Sequence, residues 1–288
     1  MQKDQYQPID IRALASKDFP KLAKWIPNGI YSFLERLLHI DHLNEFFSTH
    51  CNSDAQTFLD EVVKELDLTI QWHEDDFKKI EALKGQRVIV AANHPYGGAE
   101  SMALFSVLHR LFPQMKLVVQ NYLKFIKPIR TACVFNKGGA RTLMNAVISG
   151  ASLLFYPAGY CSRLLSTGEV YDYKWRDSFV RIARKHKLPI VVIYIDGQLS
   201  KKVHRWTRFR QIFGIKTSIE TIFLVDEMFK LYGSTLKMVV GDVITPDLLD
   251  ENLSDQQHAD KLRQYCYDLR ANPSLGYDPA KEATLPQM

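Results

Sequence analysis

From Gln86 onward, short apolar runs alternate with stretches whose apolar residues recur every three or four positions. The runs 88–92, 116–120, 152–156, 189–195 and 236–240 are brief and β-branched, as buried strands are. Between them, 100–112, 140–149, 175–187 and 218–231 repeat at helical spacing. The alternation predicts an α/β domain over 86–250, with a largely parallel central sheet flanked by helices. Ahead of it, 1–85 reads as mostly helical. Ile30, Phe33, Leu34, Leu37 and Leu38, then Leu43, Phe46 and Phe47, form an apolar stripe there. Behind the domain, 251–288 reads as a closing helix and a loosely held tail rich in turn residues, Asn272-Pro-Ser-Leu-Gly-Tyr-Asp-Pro279.

Composition narrows the class. With 288 residues, 46% hydrophobic and 24% charged, the chain has the make-up of an ordinary globular protein with a sizeable core. Its longest apolar run, Ile190–Ile195, falls far short of the about 20 residues a spanning helix needs. The first residues are polar and lack the apolar core of a secretory signal. Cys51, Cys133, Cys161 and Cys266 are scattered without a Cys-x-x-Cys pair, which favours reduced thiols over a zinc site. His39 and His42 have no neighbours to complete a ligand set. A net charge of +5 is too small to imply nucleic acid by itself.

Four stretches carry candidate chemistry. In the first, the strand 88–92 runs into Asn93-His94-Pro95-Tyr96-Gly97-Gly98, and a helix opens at Ala99-Glu100. Pro95 biases His94 toward extended backbone. Glu100 falls in the first helical turn, where the dipole favours negative charge. If the turn folds back, Glu100 accepts a hydrogen bond from one ring nitrogen of His94, and the other nitrogen is left to take a proton. In the second, Ser152–Tyr156 runs into Pro157-Ala158-Gly159, then Ser162 and Arg163, whose guanidinium suits a phosphate or carboxylate. In the third, Lys137 and Arg141 flank paired glycines ahead of a helix, an arrangement that can receive an anion but is no Walker loop. In the fourth, six Lys/Arg and no acid fall between Ser200 and Lys216, interleaved with Trp206, Phe209 and Phe213. That pattern suits a phospholipid surface or nucleic acid. No Gly-x-Gly-x-x-Gly or Gly-x-Ser-x-Gly is present, so dinucleotide binding and serine hydrolysis lose their usual support.

Together the first two stretches resemble the phospholipid and glycerolipid acyltransferase superfamily, and more narrowly its hemolysin-like, ornithine-lipid-type bacterial branch. That branch reads Asn-His-Pro, glycines, then an aspartate after five residues. Asn93-His94-Pro95-Tyr96-Gly97-Gly98-Ala99-Glu100 keeps the spacing with glutamate in place of aspartate. Tyr156-Pro157-Ala158-Gly159 with Ser162-Arg163 resembles the branch's Phe-Pro-Ala-Gly…Ser-Arg block. Asp172–Trp175 and Leu188–Ile190, ending at Asp196-Gly197, follow its downstream pattern.

The resemblance implies transfer of a fatty acyl group from an acyl carrier protein or coenzyme A thioester to a lyso-lipid acceptor. His94 would be the general base and Glu100 its support. Asn93, Gly97, Gly98, Lys137, Arg141, Gly159, Ser162 and Arg163 would contact substrate, with Gly97 and Gly98 N–H groups as oxyanion donors. No metal or cofactor is required. The enzyme would sit peripherally on the anionic cytoplasmic face of the inner membrane, through its N-terminal helices and the 200–216 segment. The rival expectations are a catalytically silent lipid-binding relative and a basic nucleic-acid-binding α/β protein.

Overall fold

Three strands, β2 (Ile89–Ala92), β5 (Leu153–Phe155) and β8 (Ile190–Ile195), have every residue buried, which places them at the centre of a sheet covered on both faces. The computed structural model describes residues 6–18, 24–135, 139–165, 167–212, 223–284 and 286, with the side chains of 122 and 207–212 outside the description. Its main sheet has seven strands. β1 is Thr69–Trp72, β3 Lys116–Val119, β4 Cys133–Phe135 and β9 Thr235–Ile244. The order is β1-β9-β8-β2-β5-β3-β4. β8 and β9 pair antiparallel and every other neighbouring pair is parallel, so the sheet is mostly parallel, as expected.

Helices cover both faces because side chains alternate along each strand. Val88, Val90, Ala92, Leu117, Leu154, Val191, Ile193 and Ile195 join one core with Phe58, Leu59, Leu104, Phe105 and Leu108. Those last five come from α4 (Ala55–Glu65) and α6 (Ala99–Leu111), preceded in the chain by α1 (Ile11–Asp18), α2 (Asn28–Leu37), α3 (Ile40–His50) and, between α4 and α6, by α5 (Asp76–Glu81). Ile89, Ala91, Leu153, Phe155, Ile190, Val192 and Tyr194 face the other core. There they meet α7 (Gly139–Ile148), α8 (Ser178–His186) and α11 (Asp255–Ala271), which Ser254 opens with a capping box to Gln257. Between α8 and α11 lie α9 (Lys201–Ile212) and α10 (Phe223–Phe229).

The sequence pattern misses four strands. β1 lies inside the stretch expected to be helical and pairs parallel with β9 at the sheet edge. β4 has only three residues, and β6 (Arg163–Leu164) and β7 (Val170–Tyr171) form a two-strand hairpin outside the main sheet. Runs this short carry no readable period. The expected helix over 218–231 is seen as α10, and its first residues lie outside the described ones.

Asn93 ends β2, and its side chain closes the join to β8. Its amide nitrogen donates to the Ile195 carbonyl at 2.8 Å, and its oxygen accepts from the Ile195 N–H at 2.6 Å. The residue is buried, so loss of the amide strands both backbone groups without water. Asn93→Ala is expected to lower the urea unfolding free energy by about 2–4 kcal/mol. A change under about 1 kcal/mol would contradict the clamp.

Candidate active site

The carboxyl ends of β2, β3, β5 and β8 lie side by side, and the turns that follow β2 and β5 meet there. In the turn after β2, the chain must double back within a few residues to start α6. Gly97 takes a left-handed φ of 89°, and a β-carbon there would sit 2.6 Å from Cys161 Sγ, so only glycine fits. The reversal aims three successive amides, Tyr96, Gly97 and Gly98, at one carboxylate. Glu100 accepts from them at 3.1, 2.9 and 3.2 Å. Its side chain is 0% exposed, and its Oε1 lies 2.9 Å from Nδ1 of His94, which is 16% exposed.

The electrostatics follow from that shell. Burial pushes the Glu100 carboxyl up. The charge and hydrogen bond of His94, with the Gly97 and Tyr96 N–H groups, outweigh burial and bring it below its ordinary value. Glu100 is therefore an anion in a dry site. It accepts the Nδ1 proton of His94, which leaves Nε2 as the ring's proton acceptor. Tyr156, at the end of β5, lies across the imidazole with ring centroids 4.4 Å apart and fixes its plane. Burial, reinforced by the Glu100 charge, raises the Tyr156 phenol well above its usual value, so it stays protonated. Burial, reinforced by Glu100, pushes the Cys161 thiol up to about 12, which rules it out as a thiolate nucleophile at neutral pH.

The second turn holds the first from behind. The His94 carbonyl accepts from the Ser162 N–H at 2.8 Å, and the His94 N–H donates to Asp172 Oδ1 at 3.3 Å. Asp172 is buried and also accepts from Ser162 Oγ at 2.6 Å and Trp175 Nε1 at 2.8 Å. Burial still leaves its carboxyl above the ordinary value. This acid buttresses the backbone of the histidine and does not face the cavity.

His94 opens onto a cavity of about 520 Å³ whose walls are mainly apolar. Met102 of α6, Leu117 and Val119 of β3, and Leu224 and Met228 of α10 line it, with Ser101, Gln120 and Arg176 as polar points. Of the substrate contacts expected from sequence, Gly97, Gly98 and Gly159 are on this wall. Asn93 and Ser162 are buried and engaged as described. Arg163 lies in β6 with its guanidinium 5.6 Å from the Tyr173 ring centroid. Arg141 is exposed on α7, and Lys137 lies outside the described residues. One expectation needs correction. The Gly97 and Gly98 N–H groups point at Glu100, so they are not oxyanion donors. Tyr156, Ser101, Gln120 and Arg176 are the wall residues that sequence reasoning missed. Arg176 directly follows the Asp172–Trp175 block, but no pattern in the sequence shows which way it faces.

A base backed by a buried acid, opening onto an apolar cavity, is the equipment for moving a group between a hydroxyl and a carrier. An acyltransferase family model matches residues 12–275, nearly the whole chain. The chain belongs to that family, within the glycerolipid acyltransferase superfamily that the 93–100 and 156–163 blocks resemble. Similar proteins include the lyso-glycine lipid O-acyltransferases of Bacteroides thetaiotaomicron and Phocaeicola vulgatus. They are 27% and 26% identical over 278 residues, which span 93% of this chain and 100% and 98% of theirs. A solved structure, the 1-acyl-sn-glycerophosphate acyltransferase PlsC from Thermotoga maritima, superposes with a TM-score of 0.47 at 12% identity, over 83% of this chain and 96% of that one.

A folded-state carboxyl below its unfolded value adds stability above the unfolded value and loses it as pH falls. Glu100→Gln is therefore expected to be less stable than wild type at pH 7, and the gap should narrow as pH drops below the ordinary glutamate value of 4.5. A pH-independent gap in denaturation midpoints would contradict a buried, ionised Glu100.

Proposed function

We propose that the chain transfers a fatty acyl group from an acyl carrier protein or coenzyme A thioester to the hydroxyl of a lyso-lipid, with His94 as general base. The observation that carries this reading is the 2.9 Å His94–Glu100 pair opening onto the apolar cavity. The names of the two relatives, both lyso-lipid O-acyltransferases, support the acceptor class.

In the proposed cycle, Nε2 of His94 takes the acceptor's hydroxyl proton as its oxygen bonds to the thioester carbonyl carbon. Glu100 stays ionised and stabilises the imidazolium through Nδ1–H. The tetrahedral intermediate then expels the thiolate with rupture of the C–S bond, and His94 returns the proton to sulfur. An ester and a free thiol result, with no net proton change. Because Glu100 is held by three amides as well as by His94, it does not swing away between steps. The intact pair also weighs against a silent lipid-binding relative. His94→Ala is expected to abolish thiol release in the presence of acceptor. Glu100→Gln should lower it by at least about a hundredfold, since a neutral amide no longer stabilises the imidazolium and its NH2 cannot accept from the turn amides that both carboxylate oxygens serve. Near-normal turnover by either folded variant would sink the assignment.

Among the described residues no helix is long and apolar enough to cross a membrane. Apolar side chains are nevertheless bare at the N-terminal end. Trp25 is 85% exposed, Leu14 and Phe33 51% each, and Ile30 48%. At α9, Lys201, Lys202 and Arg205 come with Trp206, itself exposed, while Lys21 and residues 213–216 lie outside the described ones. These features support peripheral docking on an anionic bilayer, in the proposal at the inner membrane's cytoplasmic face. Trp25→Ser with Phe33→Ser should reduce sedimentation with phosphatidylglycerol vesicles several-fold. Unchanged binding would exclude this face.

A further inference from the structure

The chain's surplus of positive charge is gathered in one place. Between Glu100 and Glu169 lie eight of the 37 Lys/Arg and none of the 32 Asp/Glu. The rest of the chain is therefore net negative, and the overall +5 is owed to this segment alone. In the fold the segment supplies most of α6, then β3, β4, α7 and β5. The last strands of the sheet order, β5-β3-β4, are thus all within it, with β4 at the edge.

The same segment forms one side of the cavity and its rim. β3 and β4 are parallel, so the chain leaves both at the carboxyl end of the sheet. After β3, Gln120 and Leu123 line the cavity, and Lys124, Phe125 and Lys127 stand exposed beside them. After β4, Leu143 of α7 lines the cavity, and Arg141 is exposed in the first turn of that helix. Phe125 is 76% exposed among these cations, with Lys124 Nζ 5.4 Å from its ring centroid. Charge of one sign beside a cleft with apolar walls steers an oppositely charged partner to it.

Resting on the acyl-transfer reading, we propose that this edge is the docking surface of a carrier protein with an acidic face, which delivers the acyl thioester to His94. Two features select a protein over free coenzyme A or the bilayer. The exposed cations stand on separate elements, a loop and a helix, which suits an extended acidic face. The phosphates of a nucleotide need their cations gathered in one pocket. The cations also flank β4 on both sides, since α7 packs on the core opposite to the one α4 and α6 cover. The N-terminal helices belong to the α4–α6 side through Phe46 and Phe47 of α3. A bilayer lying against Trp25 and Phe33 meets that side and leaves Arg141 on the other. Phe125 gives the contact an apolar centre within the charged surface.

The test compares hexadecanoyl-acyl carrier protein, hexadecanoyl-coenzyme A and hexadecanoyl-pantetheine as donors to a lyso-glycine lipid, using the carrier protein encoded in the same genome. In wild type the carrier thioester should exceed the other two in kcat/KM by about tenfold or more, and rising salt should erode the advantage. Lys124→Glu with Lys127→Glu should raise the carrier KM about tenfold and leave pantetheine turnover unchanged. Arg141→Glu should also raise the carrier KM. Equal loss on all three donors would mark a structural role and overturn the proposal. So would a loss on coenzyme A as large as that on the carrier. Weaker sedimentation with phosphatidylglycerol vesicles at an unchanged carrier KM would make the edge a membrane contact and overturn it too. Fluorescence anisotropy of labelled holo-carrier protein gives a reading without turnover. If wild type binds it at least about tenfold more tightly than the double variant while no acceptor is acylated, the acyl-transfer reading fails and the docking surface stands. If wild type does not bind it, or the double variant binds it as tightly, the docking surface fails whatever the turnover.

Discussion

A fully buried carboxylate is the constraint around which this site is built. An ion removed from water is tolerated only when its lone pairs are occupied. Glu100 meets that demand with three consecutive amides of one turn and one imidazole N–H. For those amides to converge, the chain must reverse at Gly97 in a conformation and a space that no side chain permits. The extra methylene that glutamate has over aspartate gives the carboxylate the reach to accept from residues two to four positions before it. The histidine's orientation is thus a by-product of solving a burial problem. That is why the pair is rigid before any substrate arrives.

Rigidity at His94 is supplied twice. In front, Glu100 holds Nδ1 and Tyr156 holds the ring plane. Behind, the turn that follows β5 hydrogen-bonds the His94 carbonyl through Ser162, and Asp172 receives the His94 N–H together with Ser162 and Trp175. The two carboxylates divide the labour by position. Glu100 faces the ring and is lowered by its partners, whereas Asp172 accepts from the His94 N–H, Ser162 and Trp175 and is held above its usual value by burial. Pairs of acids whose surroundings push them apart commonly do different jobs.

Much of this was legible in the sequence, and the limits are physical. β2, β5 and β8 announce themselves because strands buried on both faces are continuous apolar runs. β1 did not, since Thr69–Trp72 alternates at a sheet edge inside a helical neighbourhood. The His94–Glu100 pair follows from strand, turn and helix spacing, because both residues belong to one short segment. Residues that reach the site from afar leave no such trace. Asn93 looks like part of the motif but serves the β2–β8 join, and the bond partners that show this are 102 positions away. The glycine N–H groups looked free for an oxyanion because a sequence does not reveal who has claimed a donor. Arg176 comes to the cavity only through packing of Trp175 and the Pro157 carbonyl.

The central claim is that Glu100 holds His94 as the Nδ1–H tautomer with Nε2 free to accept a proton. Nitrogen-15 NMR of the His94 ring in the neutral form tests it directly. The account predicts a protonated-type shift at Nδ1, with a downfield Nδ1 proton, and an unprotonated-type shift at Nε2. It further predicts that Glu100→Ala, which removes the acceptor, loses this pattern. A neutral ring protonated at Nε2, or one that is unaffected by Glu100→Ala, would contradict it.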